Sequence, residues 1–135
     1  MARQAAPASG VKIGLTFDTG ALIALERRTQ RMSNVYRTAV MDGVIVTVPA
    51  IVIAEWWHGR TDIRERILDG VRVEQTDIEL MKRAGEAMAA VAGATVVDTV
   101  VMASAARRGD VVYTSDYDDL VRLTSFFKAV RVLRC

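Results

Sequence analysis

The segment Val97–Leu120, VDTVVMASAARRGDVVYTSDYDDL, indicates a helix, a glycine stop, a short strand and then a cluster of acids. Its run of small residues, Ala103–Ala106, favours a helix that packs closely on a sheet. Arg107-Arg108-Gly109 is typical of a helix end, where we expect the two arginines to complement the helix dipole. Val111–Thr114 is β-branched and aromatic, which predicts a buried strand.

The lengths of these two elements place two acids at one edge. A helix from Asp98 to Arg108 rises about 16 Å, and a strand from Val111 to Ser115 returns by about the same distance. Asp98 and Asp116 should therefore lie at the same edge of the sheet. Open α/β sheets place their sites at that edge, beyond the carboxyl ends of the strands.

Each of these acids also has a purely structural explanation. Thr95-x-x-Asp98 is a capping-box pattern before an apolar run, and Asp116 could cap the helix that follows the strand. An acid at a helix start also gains from the macrodipole. A functional interpretation therefore depends on whether other acids reach the same edge.

The remaining sequence alternates strands with helices and shows no hairpin. This pattern predicts one α/β domain, residues 11–135, with a mostly parallel sheet covered by helices on both faces; residues 1–10 are expected to be a flexible tail. Expected strands are Val11–Phe17, Val44–Val48, Val71–Glu74, Val111–Thr114 and Val130–Leu133. Expected helices are Thr19–Arg28, Gln30–Met41, Pro49–Gly59, Asp62–Asp69, Thr76–Val91, Asp98–Arg108 and Asp119–Phe127.

Composition excludes several classes of protein. Hydrophobic residues make up 51% of the chain and charged residues 25%, as in globular domains. The longest charge-free run, Gly43–Ala54, is too short to span a membrane. The lone Cys135 excludes an internal disulfide and a cysteine metal site, so a cytoplasmic location is expected. Arginine accounts for 15 of the 18 basic residues, which gives weak, diffuse support for a polyanionic partner.

Four segments bring acids to the predicted edge. Asp18 ends the first strand, Glu55 lies in an apolar helix, Asp98 starts another helix, and Asp116–Asp119 follow the fourth strand. Glu55 is the most informative, because it lies too far into its helix to act as a cap, and an isolated buried carboxylate would cost several kcal/mol. The structural alternative for Glu55 is an ion pair with Arg60 or Arg64, or a helix face that is exposed.

Clustered carboxylates repel one another unless a cation lies between them. An all-oxygen ligand set selects Mg²⁺ or Mn²⁺. Such sites typically hold a phosphate substrate, with the metal activating water and neutralising the leaving oxygen. The acids therefore predict metal-assisted hydrolysis of a phosphodiester.

Four motifs in this order carry a family resemblance. FDTGALIAL, PAIVIAEWWHG, VVDTVVMASAA and VVYTSDYDDL resemble the motifs of the PIN domain, and the size resembles VapC-type toxins of toxin–antitoxin pairs. The match covers residues 15–133. The resemblance implies strand order 3-2-1-4-5, a Mg²⁺- or Mn²⁺-dependent ribonuclease, a homodimer, and a VapB-type antitoxin that covers the site in a hetero-oligomer.

The resemblance also implies roles for individual residues. Asp18, Glu55 and Asp98 match the first three acids of the family. Thr114 and Asp116 match the hydroxyl and the acid of the fourth motif. Two further residues have secondary roles: Asp119 is the usual additional acid, and Thr19 either bonds near the metal or assists a helix cap.

The sequence lacks residues that other classes of protein with a similar layout require. A receiver domain would require paired acids after the first strand, where Phe17 precedes Asp18. A haloacid-dehalogenase-like phosphatase would require an acid at Gly20. A noncatalytic PIN-like module that binds RNA or protein remains an alternative. Trp56 and Trp57 are adjacent and cannot both face the core, so one of them is expected at an interface.

Overall fold

The computed structural model describes residues 12–135, and the expected tail and Val11 lie outside the described residues. Five strands and seven helices follow one another in the predicted alternation. The strands are β1 (Leu15–Phe17), β2 (Val46–Pro49), β3 (Arg72–Glu74), β4 (Val111–Thr114) and β5 (Arg131–Arg134). The helices are α1 (Thr19–Glu26), α2 (Gln30–Met41), α3 (Ala50–Trp56), α4 (Asp62–Gly70), α5 (Ile78–Ala90), α6 (Val96–Arg108) and α7 (Tyr117–Arg122), and a 3-10 turn, Leu123–Ser125, extends α7.

The strands form one sheet in the order β3-β2-β1-β4-β5. Every neighbouring pair is parallel. This topology confirms the predicted α/β fold and strand order. It also places the carboxyl ends of all five strands at one edge. Asp18 is the residue after β1, and Asp116 lies two residues after the end of β4.

Some element boundaries differ from the sequence prediction. Pro49 was expected to open a helix, but it is the last residue of β2, where it pairs with Glu74, and it occupies the N-cap position of α3. The proline ring fixes φ at a value that suits this extended position as well as it suits the first turn of a helix. The segment Lys12–Gly14, which was expected to extend the first strand, lies outside β1.

Helix α6 is the most deeply buried helix. Seven consecutive residues, Thr99–Ala105, are buried, and small side chains such as Ala103 and Ala105 allow the helix to approach the sheet. The helix ends at Gly109 with a φ of 75°, a left-handed conformation that glycine adopts without strain. No helix among residues 12–135 is long and apolar enough to cross a membrane.

The end of α6 carries a polar network that joins the residue before β4 to the end of β3. Arg108 donates to buried Asp110 at 2.9 Å and to Thr16 at 2.8 Å, and it also pairs with Glu74. Arg107 pairs with Asp77 at 2.8 Å and with Glu74 at 3.3 Å. Both arginines lie in the last turn of α6, where they complement the helix dipole as expected, and both also neutralise specific acids, which the sequence did not predict.

Candidate functional site

Asp18 is held in place by two hydrogen bonds at the end of β1. The amide of Ala21 donates to its Oδ1 at 2.9 Å, which makes Asp18 the N-cap of α1. The hydroxyl of Thr114, from β4, donates to its Oδ2. The side chain is buried, with only 4% of the residue exposed. The capping role therefore coexists with a fixed position at the carboxyl edge of the sheet.

Thr114 links Asp18 to the loop that carries Asp116. Its Oγ1 accepts from the amide of Asp116 at 2.8 Å while its proton goes to Asp18. Gly20 makes this approach possible, since a Cβ at that position would overlap the side chain of Ser115. The sequence reasoning did not use Gly20 or Ser115 in this way, although the Asp-Thr-Gly spacing was visible.

Asp116 lies at the N-cap position of α7, but its side chain makes no capping hydrogen bond. The residue is exposed. The capping explanation for its carboxylate therefore fails, and both carboxylate oxygens remain available for a ligand. Asp119, one turn on, pairs with Arg122 at 2.9 Å, and Asp118 is almost fully exposed.

Asp98 lies in the first turn of α6. The hydroxyl of Thr95 accepts from the amide of Asp98 at 3.2 Å, as the capping pattern predicts. Burial raises the pKa of the half-buried Asp98 carboxyl above its ordinary value, and the charges of Asp116, Asp119 and Glu55 raise it further. Thr95 is therefore the N-cap of α6, and the carboxylate of Asp98, in the first turn, is subject to the charges of the other acids.

Glu55 lies near the end of α3 and is exposed, which is one of the structural alternatives that the sequence left open. The expected cost of an isolated buried charge consequently does not apply. Neither proposed ion pair forms: Arg60 pairs with Asp62 and Glu65, and Arg64 pairs with Glu26. Instead the hydroxyl of Thr19 donates to Glu55 Oε1 at 2.6 Å. This bond ties α3 to the start of α1, directly beside Asp18.

The charges of these acids act on one another. Burial raises the pKa of Asp18 to about 6, and the charges of Asp116 and Asp98 contribute to the increase. Among residues 12–135, Asp18, Glu55, Asp98 and Asp116 form no ion pair with a basic side chain. Elsewhere, Glu74 at the end of β3 and Asp110 before β4 are both neutralised by arginines. Unpaired negative charge is thus concentrated around the carboxyl ends of β1 and β4.

The donor set fits a hard divalent cation. The four side chains offer only carboxylate oxygens, the ligands that Mg²⁺ and Mn²⁺ prefer, and their mutual repulsion would be relieved by a positive ion. Within the described part of the chain, however, no three acidic, histidine or cysteine side chains are already arranged as a metal cage. A bound cation would therefore draw the carboxylates closer together.

The residues that follow Glu55 agree with the expectation that only one of the two tryptophans faces the core. Trp56 is 2% exposed, and its Nε1 donates to Glu26 at 2.9 Å, so it belongs to the core. Trp57 is half-buried and packs edge-on against Trp56, which leaves it as the tryptophan with exposed surface. His58 is exposed and forms none of the side-chain hydrogen bonds found among residues 12–135.

The sequence reasoning missed two residues that lie next to the acids, the last residue of β5 and the one that follows it. Arg134 is paired in register with Thr114, and the amide of Cys135 donates to the carbonyl of Thr114 at 3.0 Å. Burial raises the pKa of the Cys135 thiol, with the charges of Asp18 and Asp116 adding to the increase. Nothing in the local sequence indicated these neighbours, because strand pairing brings them together across about twenty residues.

Solved structures with the same fold support this description. The chain is similar to a VapBC2 complex from Rickettsia felis bound to a promoter DNA fragment, with 10% identity, a TM-score of 0.76, and coverage of 91% of this chain and 99% of that chain. A DNA-bound VapBC complex from Salmonella typhimurium shows 16% identity and a TM-score of 0.66, covering 91% and 98%. A FitAB complex bound to a DNA fragment shows 19% identity and a TM-score of 0.60, covering 89% and 94%.

These similarities concern the fold, since all three identities are low. No protein-family profile matches the chain, and no curated protein matches it significantly. Structural neighbours that are VapBC toxin–antitoxin complexes nevertheless cover nearly the whole of both chains. The PIN-like α/β fold predicted from the four sequence motifs is thereby confirmed.

Proposed function

We propose that this protein is a metal-dependent endoribonuclease and the toxin of a VapBC-type toxin–antitoxin pair. The observation that carries the proposal is the unpaired set of acids, Asp18, Glu55, Asp98 and Asp116, at the carboxyl edge of a PIN-like sheet. A structural role for these acids would have left them with basic partners, as it does for Asp110. The similarity to VapBC structures supports the same assignment.

In this proposal Asp18, Asp98 and Asp116 hold a Mg²⁺ or Mn²⁺ ion, with Glu55 and Asp119 as additional acids. The bound ion supplies activation of water and neutralisation of the leaving oxygen during phosphodiester hydrolysis. Thr114 fixes the carboxylate of Asp18 against the loop of Asp116 and so sets their relative orientation. Thr19 holds Glu55 toward the same edge, where the exposed carboxylate can accept a proton from the attacking water.

A cleavage assay on single-stranded RNA with Mn²⁺ tests the nuclease proposal. Asp116→Asn and Glu55→Gln should each lower the cleavage rate by at least about a hundredfold, the usual contribution of a group that acts on a proton or on developing charge. Asp118→Asn is the matched control, because Asp118 is a solvated acid two residues from Asp116. RNA that binds without being cut by the wild-type protein would instead favour the noncatalytic PIN-like module.

A loss of cleavage in only one of the two variants, Asp116→Asn or Glu55→Gln, would be equally informative. If Glu55→Gln cleaves at the wild-type rate while Asp116→Asn does not, Glu55 serves only to bond Thr19. Circular dichroism of each variant shows whether a lost activity reflects a lost fold. A loss of structure is not expected, since both side chains are exposed.

We also propose a VapB-type antitoxin as the partner, on a surface different from the one the sequence suggested. From the sequence, the antitoxin is expected to anchor on Trp56 or Trp57, with Leu22, Ile23 and Leu25 nearby, but Leu22 and Trp56 are buried. A cleft of about 530 Å³ instead opens between α2 and α4. It is lined by Leu25, Arg28, Ser33, Tyr36, Arg37, Ile63, Arg66 and Ile67.

The charge of this cleft indicates the chemistry of the partner segment. Arg28, Arg37 and Arg66 form no ion pair within residues 12–135 and surround an apolar floor. An acidic amphipathic segment of the antitoxin would satisfy both features. The expected homodimer is part of the same proposal, and exposed Val40 and Met41 at the end of α2 offer an apolar surface for it. Such a pair would act on RNA in the cytoplasm.

A further inference from the structure

A cationic and aromatic cleft lies beside the acids, on the β5 side of the sheet. Its volume is about 330 Å³. It is lined by Arg31, Val35, Tyr113, Tyr117, Val132, Leu133 and Arg134. None of these residues belongs to the acid set, and two of them, Tyr117 and Arg134, form a stacked pair.

The guanidinium of Arg134 lies over the ring of Tyr117. Its Cζ is 4.0 Å from the centroid of the Tyr117 ring. The backbone carbonyl of Arg134 accepts a hydrogen bond from Arg31 at 3.3 Å. The only ion pair of Arg134 among the described residues is a 3.9 Å contact with Asp118, whose side chain is 96% exposed. Such a pair contributes little in water, so the guanidinium is held by the ring rather than by an acid.

The Arg134–Tyr117 pair lies one strand away from the acids. Arg134 is in register with Thr114, and adjacent strands are separated by about 4.8 Å. Because in-register residues of parallel strands point to the same face, the Arg134 side chain leaves the sheet beside the hydroxyl that bonds Asp18. Tyr117 directly follows Asp116. A nucleic acid strand with a phosphate at the acids would therefore pass over this pair.

The side chain of Arg134 is 63% exposed, so its outer face is open. Guanidinium planes and aromatic rings are the surfaces on which proteins stack the bases of single-stranded RNA. Arg31, exposed and without an ion pair in the described part of the chain, adds a cation for the adjacent phosphate. An acidic protein segment would pair with the positive charges of Arg31 and Arg134, but it would not need the guanidinium to lie over the ring.

We propose that Arg134, supported by the ring of Tyr117, is a stacking platform for a nucleobase next to the phosphate that the acids engage. This inference rests on the proposed ribonuclease function and adds a base-binding subsite to it. Arg134 contacts the base, Tyr117 positions the guanidinium, and Arg31 contacts the flanking phosphate.

Binding of a labelled single-stranded oligoribonucleotide, measured by fluorescence anisotropy in a chelator, tests the platform without requiring cleavage. Arg134→Lys keeps the charge but loses the plane. We expect it to weaken binding by at least about fivefold, the loss of one stacked base, with an unchanged salt dependence. Arg131→Lys is the matched control: it lies on the same strand at the opposite edge and should bind as the wild type does.

Two further probes separate stacking from charge. An abasic ribose–phosphate oligomer should bind wild-type protein and Arg134→Lys equally. Arg31→Gln should weaken RNA binding and lower the slope of log affinity against log salt by about 0.7, the value for one single-strand phosphate contact. Tyr117→Leu should behave like Arg134→Lys, and Tyr117→Phe should bind as the wild type does.

Several results would overturn the inference. It fails if Arg134→Lys binds RNA normally, if Arg131→Lys loses as much affinity, or if the cleft binds an acidic peptide but no RNA. Its failure is distinguishable from failure of the nuclease proposal. Arg134-dependent binding without cleavage in Mn²⁺ would refute only the nuclease, whereas cleavage with unchanged KM in Arg134→Lys would refute only the platform.

Discussion

An Asp18→Asn variant should unfold less readily than the wild-type chain at mildly alkaline pH when metal is absent. Asp18 is buried, and burial raises its pKa from 3.8 to about 6. Asparagine keeps the shape of the side chain and is as good an N-cap as aspartate, so the bond from Ala21 survives, and the hydroxyl of Thr114 can accept from the new amide nitrogen in place of donating to the carboxylate. The substitution therefore removes mainly the cost of a buried negative charge.

The size and sign of this effect follow from the shift. A rise of about two pKa units corresponds to about 3 kcal/mol. Between pH 3.8 and about 6 the folded chain holds a proton that the unfolded chain has lost, so wild-type stability falls as pH rises through that window. The advantage of Asp18→Asn should be complete above pH 6 and should vanish below about pH 4.

Urea unfolding in a chelator at several pH values measures this difference. Asp69→Asn, at an exposed acid near the end of α4, is the control and should show no such pH dependence. Adding Mn²⁺ should reverse the order, because binding stabilises only the protein that retains the ligand. A wild-type chain that is the more stable one at alkaline pH without metal would refute the assignment of Asp18 as a buried, unneutralised charge.

Two further predictions concern the acid site and the partner surface. Asp98→Asn should match or exceed the wild-type melting temperature without metal and gain less from Mn²⁺, as measured by thermal unfolding; a clear loss of metal-free stability would mean that the helix cap outweighs the repulsion between acids. Arg37→Glu and Arg66→Glu should each weaken binding of the cognate antitoxin by at least about fivefold in titration calorimetry, through the reversal of a complementary charge; unchanged affinity would place the partner elsewhere.

Local sequence was sufficient to predict a mostly parallel sheet between helices, whereas the strand order came from the resemblance to the PIN domain. The β-branched run at Val111–Thr114 and the glycine stop at Gly109 define one helix–strand unit, and the same alternation defines the others. Because every strand is parallel, an acid that follows a strand reaches the carboxyl edge wherever it lies in the sequence. Asp18 and Asp116 were predicted correctly at that edge for this reason.

Burial and pairing could not be predicted in the same way. Periodicity identified α3 as apolar, but it did not show which of its faces the sheet covers, so it left open whether Glu55 is buried and which of Trp56 and Trp57 faces the core. Trp56 is satisfied by Glu26, and Arg108 by Thr16, partners that are 30 and 92 residues away. Contacts of this kind depend on how helices are placed over the sheet, which no local pattern specifies.

Two groups of acids around the sheet are held in opposite ways, and the contrast bears on function. Glu74, at the end of β3, and Asp110, before β4, lie against the side chains of Arg107 and Arg108, so their charges stabilise the fold. Asp18, after β1, is fixed by neutral donors, an amide and a hydroxyl, which orient a carboxylate without cancelling its charge. Orientation without neutralisation is what a cation site requires, since a paired arginine would compete with the metal. The N-cap role of Asp18 is therefore not an alternative to a metal-binding role: the cap provides the rigidity and leaves the charge available.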